Sequence, residues 1–235
     1  MREWEPERYE LDAGAAYHFE LARRGFLQAL GGGLVVALAC TDAPAQQESG
    51  GRRRGPGEAQ PREIAAWLHI AEDGAVTVYT GKVEVGQNAR TSLSQVVADE
   101  LRAPLASIQL VMADTDLTPF DAGTTGSRTS PAMAPQLRKV SAAARRVLTE
   151  LAAEQWQADP ASLVVADGAI TNPKTKQSLS FGQLTRGQKL LKAIGDDVPV
   201  TPAGQWKVAG QPARKINGRA AVTGPGYGPG PPQTA

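Results

Sequence analysis

Apolar and polar residues alternate along Trp67-Leu68-His69-Ile70 and along Val76-Thr77-Val78-Tyr79, with Ala71-Glu72-Asp73-Gly74 between them. Period-two alternation marks a half-buried strand, and an Asp-Gly pair suits a tight hairpin turn, so this stretch predicts a β-hairpin. His69 then reads as a strand residue rather than a ligand. Lys82-Val83-Glu84-Val85 extends the second strand until Gly86-Gln87-Asn88 breaks it. From Thr91 the spacing changes. Leu93, Val96, Val97 and Leu101 recur at helical intervals, Thr91 or Ser92 can cap the start, and Pro104 lies beyond the end. Ser107–Met112 returns to strand, with Ile108, Leu110 and Met112 on one face. Residues 113–134 form a long loop rich in Asp, Thr, Gly and Ser, of a length that is uncommon in a compact domain and usually functional. Gln136–Trp156 carries the clearest helical stripe: Leu137, Val140, Ala144, Val147, Leu148 and Leu151. Asp159-Pro160 caps a turn, and Leu163–Ala166 and Ala169–Thr171 form a second hairpin through Asp167-Gly168. Ser180–Leu184 leads into a short helix ending near Ile194-Gly195, and the stretch containing Pro199, Pro202 and Pro212 is extended. These elements predict an α+β fold of β-hairpins and short strands packed on two main helices.

The N-terminus follows a different pattern. Arg23-Arg24-Gly25-Phe26-Leu27 precedes the apolar, glycine-diluted run Gln28–Ala39, and Ala37-Leu38-Ala39 and Ala43-Pro44-Ala45 each fit a small-x-small cleavage site. A charged stretch, a short apolar stretch and a small-residue site define a secretory signal, and the paired arginines resemble a twin-arginine signal. That implies export in the folded state to the periplasm, with Cys40 as a candidate lipid-attachment site. The competing reading is a buried amphipathic helix from Arg23, which Gly31, Gly32 and Gly33 oppose at about 1 kcal/mol each. The expected organisation is a twin-arginine-type signal region at 1–45, a flexible linker at 46–61, a folded domain at 62–200, an extended connector at 201–223 and a low-complexity tail at 224–235.

Composition narrows the chemistry. The 235 residues hold 25 Lys+Arg and 24 Asp+Glu, so a net charge of +1 gives no field for nucleic acid. One cysteine excludes an internal disulfide framework, a zinc ribbon, and an iron–sulfur cluster held by this chain alone. His18 and His69 lie too far apart in sequence to suggest a His-rich metal site. No apolar run reaches the ~18 residues of an ordinary transmembrane helix.

Two loops carry candidate chemistry. Gly81–Thr91 ends a strand and opens a helix. Gly86 lets a ligand approach the backbone, the N–H groups of a helix start favour an anion, and Gln87 can donate and accept beside them. The alternative is plain strand-to-helix architecture. Gly123–Ser130 places Gly126, Ser127 and Arg128 among hydroxylated residues, a composition that suits a phosphate or diphosphate and equally a flexible polar loop.

Gly81–Arg90 with Thr91 and Gln95 resembles the glutamine-loop segment of molybdenum hydroxylase large subunits, the xanthine dehydrogenase and aldehyde oxidase family. Asp114-Thr115-Asp116 with Gly123–Thr129 resembles the next cofactor loop of those proteins, and Arg214–Ala220 the segment leading to their next domain. The N-terminal placement behind a twin-arginine signal is similar to the exported isoquinoline 1-oxidoreductase branch. Asn88 stands where the family usually has a second glycine. The resemblance implies a partial molybdopterin-binding domain. Gly86 and Gln87 would lie at positions touching the pterin or its phosphate, Gly126 and Ser127 near the metal and phosphate, and Arg128 as a further phosphate contact. The implied cofactor is molybdopterin cytosine dinucleotide. The implied reaction is hydroxylation of an N-heterocycle or aldehyde, with oxygen from water. The implied partners are an iron–sulfur small subunit, a cytochrome c electron acceptor and a small-molecule substrate. No catalytic residue or metal ligand is expected here, because the family's glutamate base lies in its C-terminal region and Glu84 is not that base. The tail Gly224–Ala235 reads as a truncation or frame change. Two other classes fit the same residues: a non-catalytic exported fragment, and a module for another anionic ligand.

Overall fold

The computed structural model describes residues 32–40, 63–119, 121, 123–186, 189–194 and 198–223. The paired arginines, the linker at 46–61 and the tail at 224–235 lie outside the described residues. Eight strands are described: β1 (Gly33–Cys40), β2 (Glu63–Ile70), β3 (Val76–Thr80), β4 (Ile108–Met112), β5 (Val164–Ala166), β6 (Ala169–Thr171), β7 (Ser178–Ser180) and β8 (Lys189–Ile194). Four helices accompany them: α1 (Ala89–Leu101), α2 (Thr129–Trp156), α3 (Phe181–Thr185) and α4 (Gly218–Thr223). The larger sheet has the order β4-β3-β2-β1-β8. Its β1/β2 and β2/β3 pairs are antiparallel, and its β3/β4 and β1/β8 pairs are parallel. The smaller sheet runs β5-β6-β7. The architecture is α+β.

Alternation decides which side chains meet the helices. Leu34 and Val36 of β1, Leu68 and Ile70 of β2, and Val76 and Val78 of β3 share one face. There they join Leu93, Val97 and Leu101 of α1 and Leu137, Val140, Ala144 and Leu148 of α2 in a single core. Val35, Ala37, Trp67 and Tyr79 occupy the other face, where the Trp67 and Tyr79 rings stack with centroids 3.4 Å apart. Both predicted hairpins form, through Asp73-Gly74 and Asp167-Gly168. Asp159 caps its turn by accepting from Ala161 N–H at 2.9 Å.

Within the apolar run that follows the paired arginines, residues 33–40 form a strand: residues 34–37 are buried, and β1 sits between β2 and β8. Four expectations need correction. The second strand stops at Thr80 rather than Val85, because Lys82 and Val83 turn to bond Asp121, Gly123 and Thr124. Helix α1 starts at Ala89, and Thr91 and Ser92 lie inside it rather than capping it. Helix α2 starts at Thr129 rather than Gln136. Pro131 falls in its first turn, where no N–H bond is lost, while Pro135 forgoes one bond within a helix held by core packing. The short helix predicted to run to Ile194 ends at Thr185, and Lys189–Ile194 instead pairs with the edge of β1.

The stretch expected to be a departing connector folds back as a strap along α1. Thr201 binds Glu100, Lys207–Ala209 bind Asp99, Gln95 Nε2 donates to the Val208 and Gln211 carbonyls, and Ile216 N–H donates to Thr91 Oγ1. The strap therefore runs antiparallel to the helix. Its buried helical partners Thr91, Gln95 and Asp99 recur every four residues on one face.

Candidate functional site

Each candidate loop leaves a strand of the main sheet and enters a core helix: residues 81–88 join β3 to α1, and residues 113–128 join β4 to α2. Since β3 and β4 are parallel neighbours, both loops leave the same end of the sheet. They are then tied together. Lys82 Nζ donates to Asp121 Oδ1 and to the Gly123 carbonyl, each at 2.7 Å, and Val83 N–H donates to Thr124 Oγ1 at 2.8 Å. The Lys82 and Asp121 side chains are 10% and 11% exposed, so this ion pair is shielded from water and salt. Asp121 also accepts from Gly123 N–H at 2.9 Å, which fixes the second loop beside the first.

Glu84 organises the first loop. Its carboxylate accepts from the N–H groups of Gly86, Asn88 and Arg90 at 2.9, 3.0 and 2.9 Å, and Lys215 of the strap pairs with it at 3.3 Å. The N–H groups of Asn88 and Arg90 at the start of α1, expected to favour an external anion, are thus taken by the protein's own carboxylate. Burial alone would raise the Glu84 pKa. The N–H groups of Arg90 and Asn88, the Lys215 ammonium and the Gly86 N–H outweigh it and hold the value below 4.5. A depressed carboxyl pKa stabilises the fold above the unfolded value and loses that contribution as pH falls through the folded value. We therefore expect part of the acid lability below about pH 4.5 to come from Glu84. A Glu84→Gln variant followed by circular dichroism during acid titration should show a flatter profile there; an unchanged profile would remove Glu84 from this role.

The predicted site residues fall as follows. Gly86 and Gln87 are exposed on the first loop, and Gly126, Ser127 and Arg128 are exposed on the second. Gly86 has φ +105°, and a side chain built there would meet nothing within 4 Å, so its backbone faces open space. At Gly126 (φ +60°) only the Arg128 stem comes near, at 3.8 Å. The Gln87 amide folds back on its own loop, accepting from Val85 N–H at 2.7 Å and donating to the Val83 carbonyl at 2.9 Å. Among the described residues the Arg128 guanidinium has no ion-pair or hydrogen-bond partner. Accessible backbone, a hydroxyl and an uncommitted guanidinium at the start of α2 form a donor set that fits a phosphate-bearing cofactor. No group of His, Cys, Asp and Glu suited to a metal ion occurs among the described residues.

Sequence reasoning missed Lys82, Asp121 and Thr124, which join the loops across about 40 positions, and Lys215. No local spacing signals such contacts. Glu84 was noticed only as part of the loop, although an acidic residue shortly before a helix start is a capping signal. Asp114 proves to be a turn-former, accepting from the N–H groups of Asp116 and Leu117.

The site thus belongs to a class of domain that presents two tied loops from one sheet end. Residues 22–226 match the family described as the molybdopterin cofactor-binding domain, and the chain belongs to that family. It is 32% identical over 163 residues to a subunit of nicotinate dehydrogenase of Pseudomonas putida, covering 69% of this chain and 14% of that one. It is 29% identical over 175 residues to the beta subunit of isoquinoline 1-oxidoreductase of Brevundimonas diminuta, covering 70% of this chain and 22% of that one. Among solved structures, quinoline 2-oxidoreductase from Pseudomonas putida 86 matches with a TM-score of 0.44 and 22% identity, over 50% of this chain and 15% of that chain. The chain therefore spans less than a quarter of the length of these relatives.

Proposed function

We propose that this chain forms the N-terminal part of the cofactor site of a molybdenum hydroxylase large subunit and binds molybdopterin as its cytosine dinucleotide. The observation that carries the reading is the tie between the loops through Lys82, Asp121, Gly123 and Thr124, which sets two exposed, glycine-opened loops side by side. Gly86 and Gln87 would hold the pterin or its phosphate from one loop, and Gly126, Ser127 and Arg128 would hold the phosphate and the surroundings of the metal from the other. When bound, the cofactor would supply the oxidative hydroxylation of an N-heterocycle or aldehyde with oxygen from water. This chain's own part is to bind and orient it. Glu84 fixes the backbone of residues 86–90, and Lys82 fixes the second loop against the first. The names of the relatives support an oxidoreductase with further subunits. An iron–sulfur small subunit and a cytochrome c acceptor belong to the proposal, as does a periplasmic destination, which cell fractionation tests.

The deciding experiment is the molybdenum and pterin content of the protein purified from a host that makes the cofactor, alone and extended by the downstream gene region. Stoichiometric metal with cytidine nucleotide in the extended protein is the expected result; metal in neither form overturns the reading. That outcome would favour the non-catalytic reading, to which the self-satisfied Gln87 amide and the Glu84-occupied helix start already lend support. In the extended protein, Gln87→Ala is expected to lower molybdenum retention. Loss of one neutral hydrogen bond costs about 0.5–1.5 kcal/mol, a drop in affinity of roughly two- to twelve-fold. Unchanged occupancy would take Gln87 out of the site.

A further inference from the structure

The position of β1 bears on how this chain is processed. The strand is made from the apolar run behind the arginine pair, and it is an inner strand of the sheet, with a neighbour on each side. It pairs with β2 from Leu34↔Ile70 to Cys40↔Glu63, and with β8 from Gly33↔Lys189 to Leu38↔Ile194. Among the described residues β8 has no other partner in the sheet. Leu34 and Val36 are fully buried on the helix side, and Val35 and Ala37 are buried on the other. Where the strand begins, the fit is specific. Gly33 has φ +131°, and a Cβ there would lie 2.3 Å from the Ile70 carbonyl oxygen and 2.8 Å from His69 Nε2. The Gly32 carbonyl lies 3.2 Å from His69 Nε2. A segment that serves only to be read and removed needs no such fit, and the family match begins at residue 22, upstream of this strand.

We propose that Gly33–Cys40 is a permanent strand of the domain, retained in the mature protein, so that any proteolytic processing is confined to residues before Gly33. Both small-x-small sites, Ala37-Leu38-Ala39 and Ala43-Pro44-Ala45, are then not used. Cleavage at either would detach β1, leave β8 without its neighbour, and open the core where Leu34 and Val36 sit. Lipid attachment at Cys40 is excluded by the same reasoning, since it requires Cys40 to become the first residue. The inference is independent of the bound cofactor and of the compartment where the domain ends up.

Two measurements test it on the full chain. The first is the intact mass and N-terminal sequence of the folded, soluble protein made in a bacterial host with twin-arginine transport. An N-terminus at or before Gly33 is expected. A folded protein beginning at Cys40, with or without lipid, or at Gln46 overturns the proposal. The second is Gly33→Ala. In a removable signal this exchange leaves the mature protein identical, so its thermal midpoint would not move. In a retained strand the Cβ collides with the Ile70 carbonyl, and a clear fall in the midpoint is expected. An unchanged midpoint overturns the proposal. Should the variant fail to yield soluble protein, the mass of the unaltered chain still decides.

Discussion

Glu100→Ala is expected to destabilise the domain more than any other single exchange outside the hydrophobic core. Glu100 is fully buried on α1. Its carboxylate accepts from Thr201 N–H at 2.9 and 3.1 Å, from Thr201 Oγ1 at 2.9 Å and from Arg138 Nε at 3.0 Å, with Arg145 Nη1 3.8 Å away. Alanine would leave two half-buried guanidinium groups without their counter-charge and Thr201 N–H without an acceptor. Breaking a buried ion pair by removing one partner costs about 3–5 kcal/mol. In a chain of this size each kcal/mol shifts the thermal midpoint by roughly 2–4 °C, so a fall of about 6–20 °C is expected. The strap should detach with it, because Thr201 anchors one end. Trp206 reports on this directly: its ring lies 4.8 Å from the Arg138 guanidinium, and its Nε1 donates to the Thr201 carbonyl at 3.2 Å. A changed tryptophan emission with the loss of stability is the expected pair of results. A midpoint within about 2 °C of the parent would show that Arg138 and Arg145 reach solvent when Glu100 is removed and that the cluster does not anchor the strap.

The second large effect is expected at the loops. In the protein extended by its downstream region, Asp121→Ala should leave Lys82 charged, nine-tenths buried and without its carboxylate. The nominal cost is again about 3–5 kcal/mol, and here it is local, since Lys82 can escape to solvent once the second loop moves. Hydrogen exchange at residues 81–88 and 121–128 should accelerate while the β1–β3 amides stay protected, and molybdenum occupancy should fall. Lys82→Met with Asp121→Leu removes both charges. That pair is expected to recover stability in a double-mutant cycle without recovering metal, because the Gly123 and Thr124 contacts also depend on Lys82 and its neighbour Val83. Full occupancy in Asp121→Ala would mean that the tie does not position the two candidate loops for a cofactor.

Much of the sheet could be read directly from the chain. Trp67–Ile70 and Val76–Tyr79 alternate cleanly because one face of each strand meets the helices and the other carries different partners, and Asp73-Gly74 supplies the turn. The spacing of Leu93, Val97 and Leu101 revealed α1 for the same reason. β1 was illegible for a physical reason. A strand buried on both faces between two neighbours has no polar side to betray its period, so Leu34-Val35-Val36-Ala37 looks the same as the apolar core of a signal. β8 was ambiguous in a different way: Leu190, Leu191 and Ile194 fit either period in the sequence, and pairing with β1 decides. The candidate loops stood out by composition, whereas the contacts that position them did not. Lys82 meets Asp121 and Glu84 meets Lys215 because the fold brings distant segments together, and neither pairing leaves a trace in local spacing.

The antiparallel course of the strap turns it into a lever. The strap follows β8, is pinned at Thr201 near the C-terminal end of α1, and runs to Ile216 and Lys215 beside the first turn. Tension applied to the polypeptide beyond residue 218 would therefore be borne first by the weak end, Lys215 against Glu84, and last by the Glu100 anchor. Glu84 is the group that holds the backbone of residues 86–90. Any pull from the C-terminal side of the strap thus arrives first at the Gly86–Gln87 turn, and the rigid end at Thr201 keeps the rest of the fold from sharing the load.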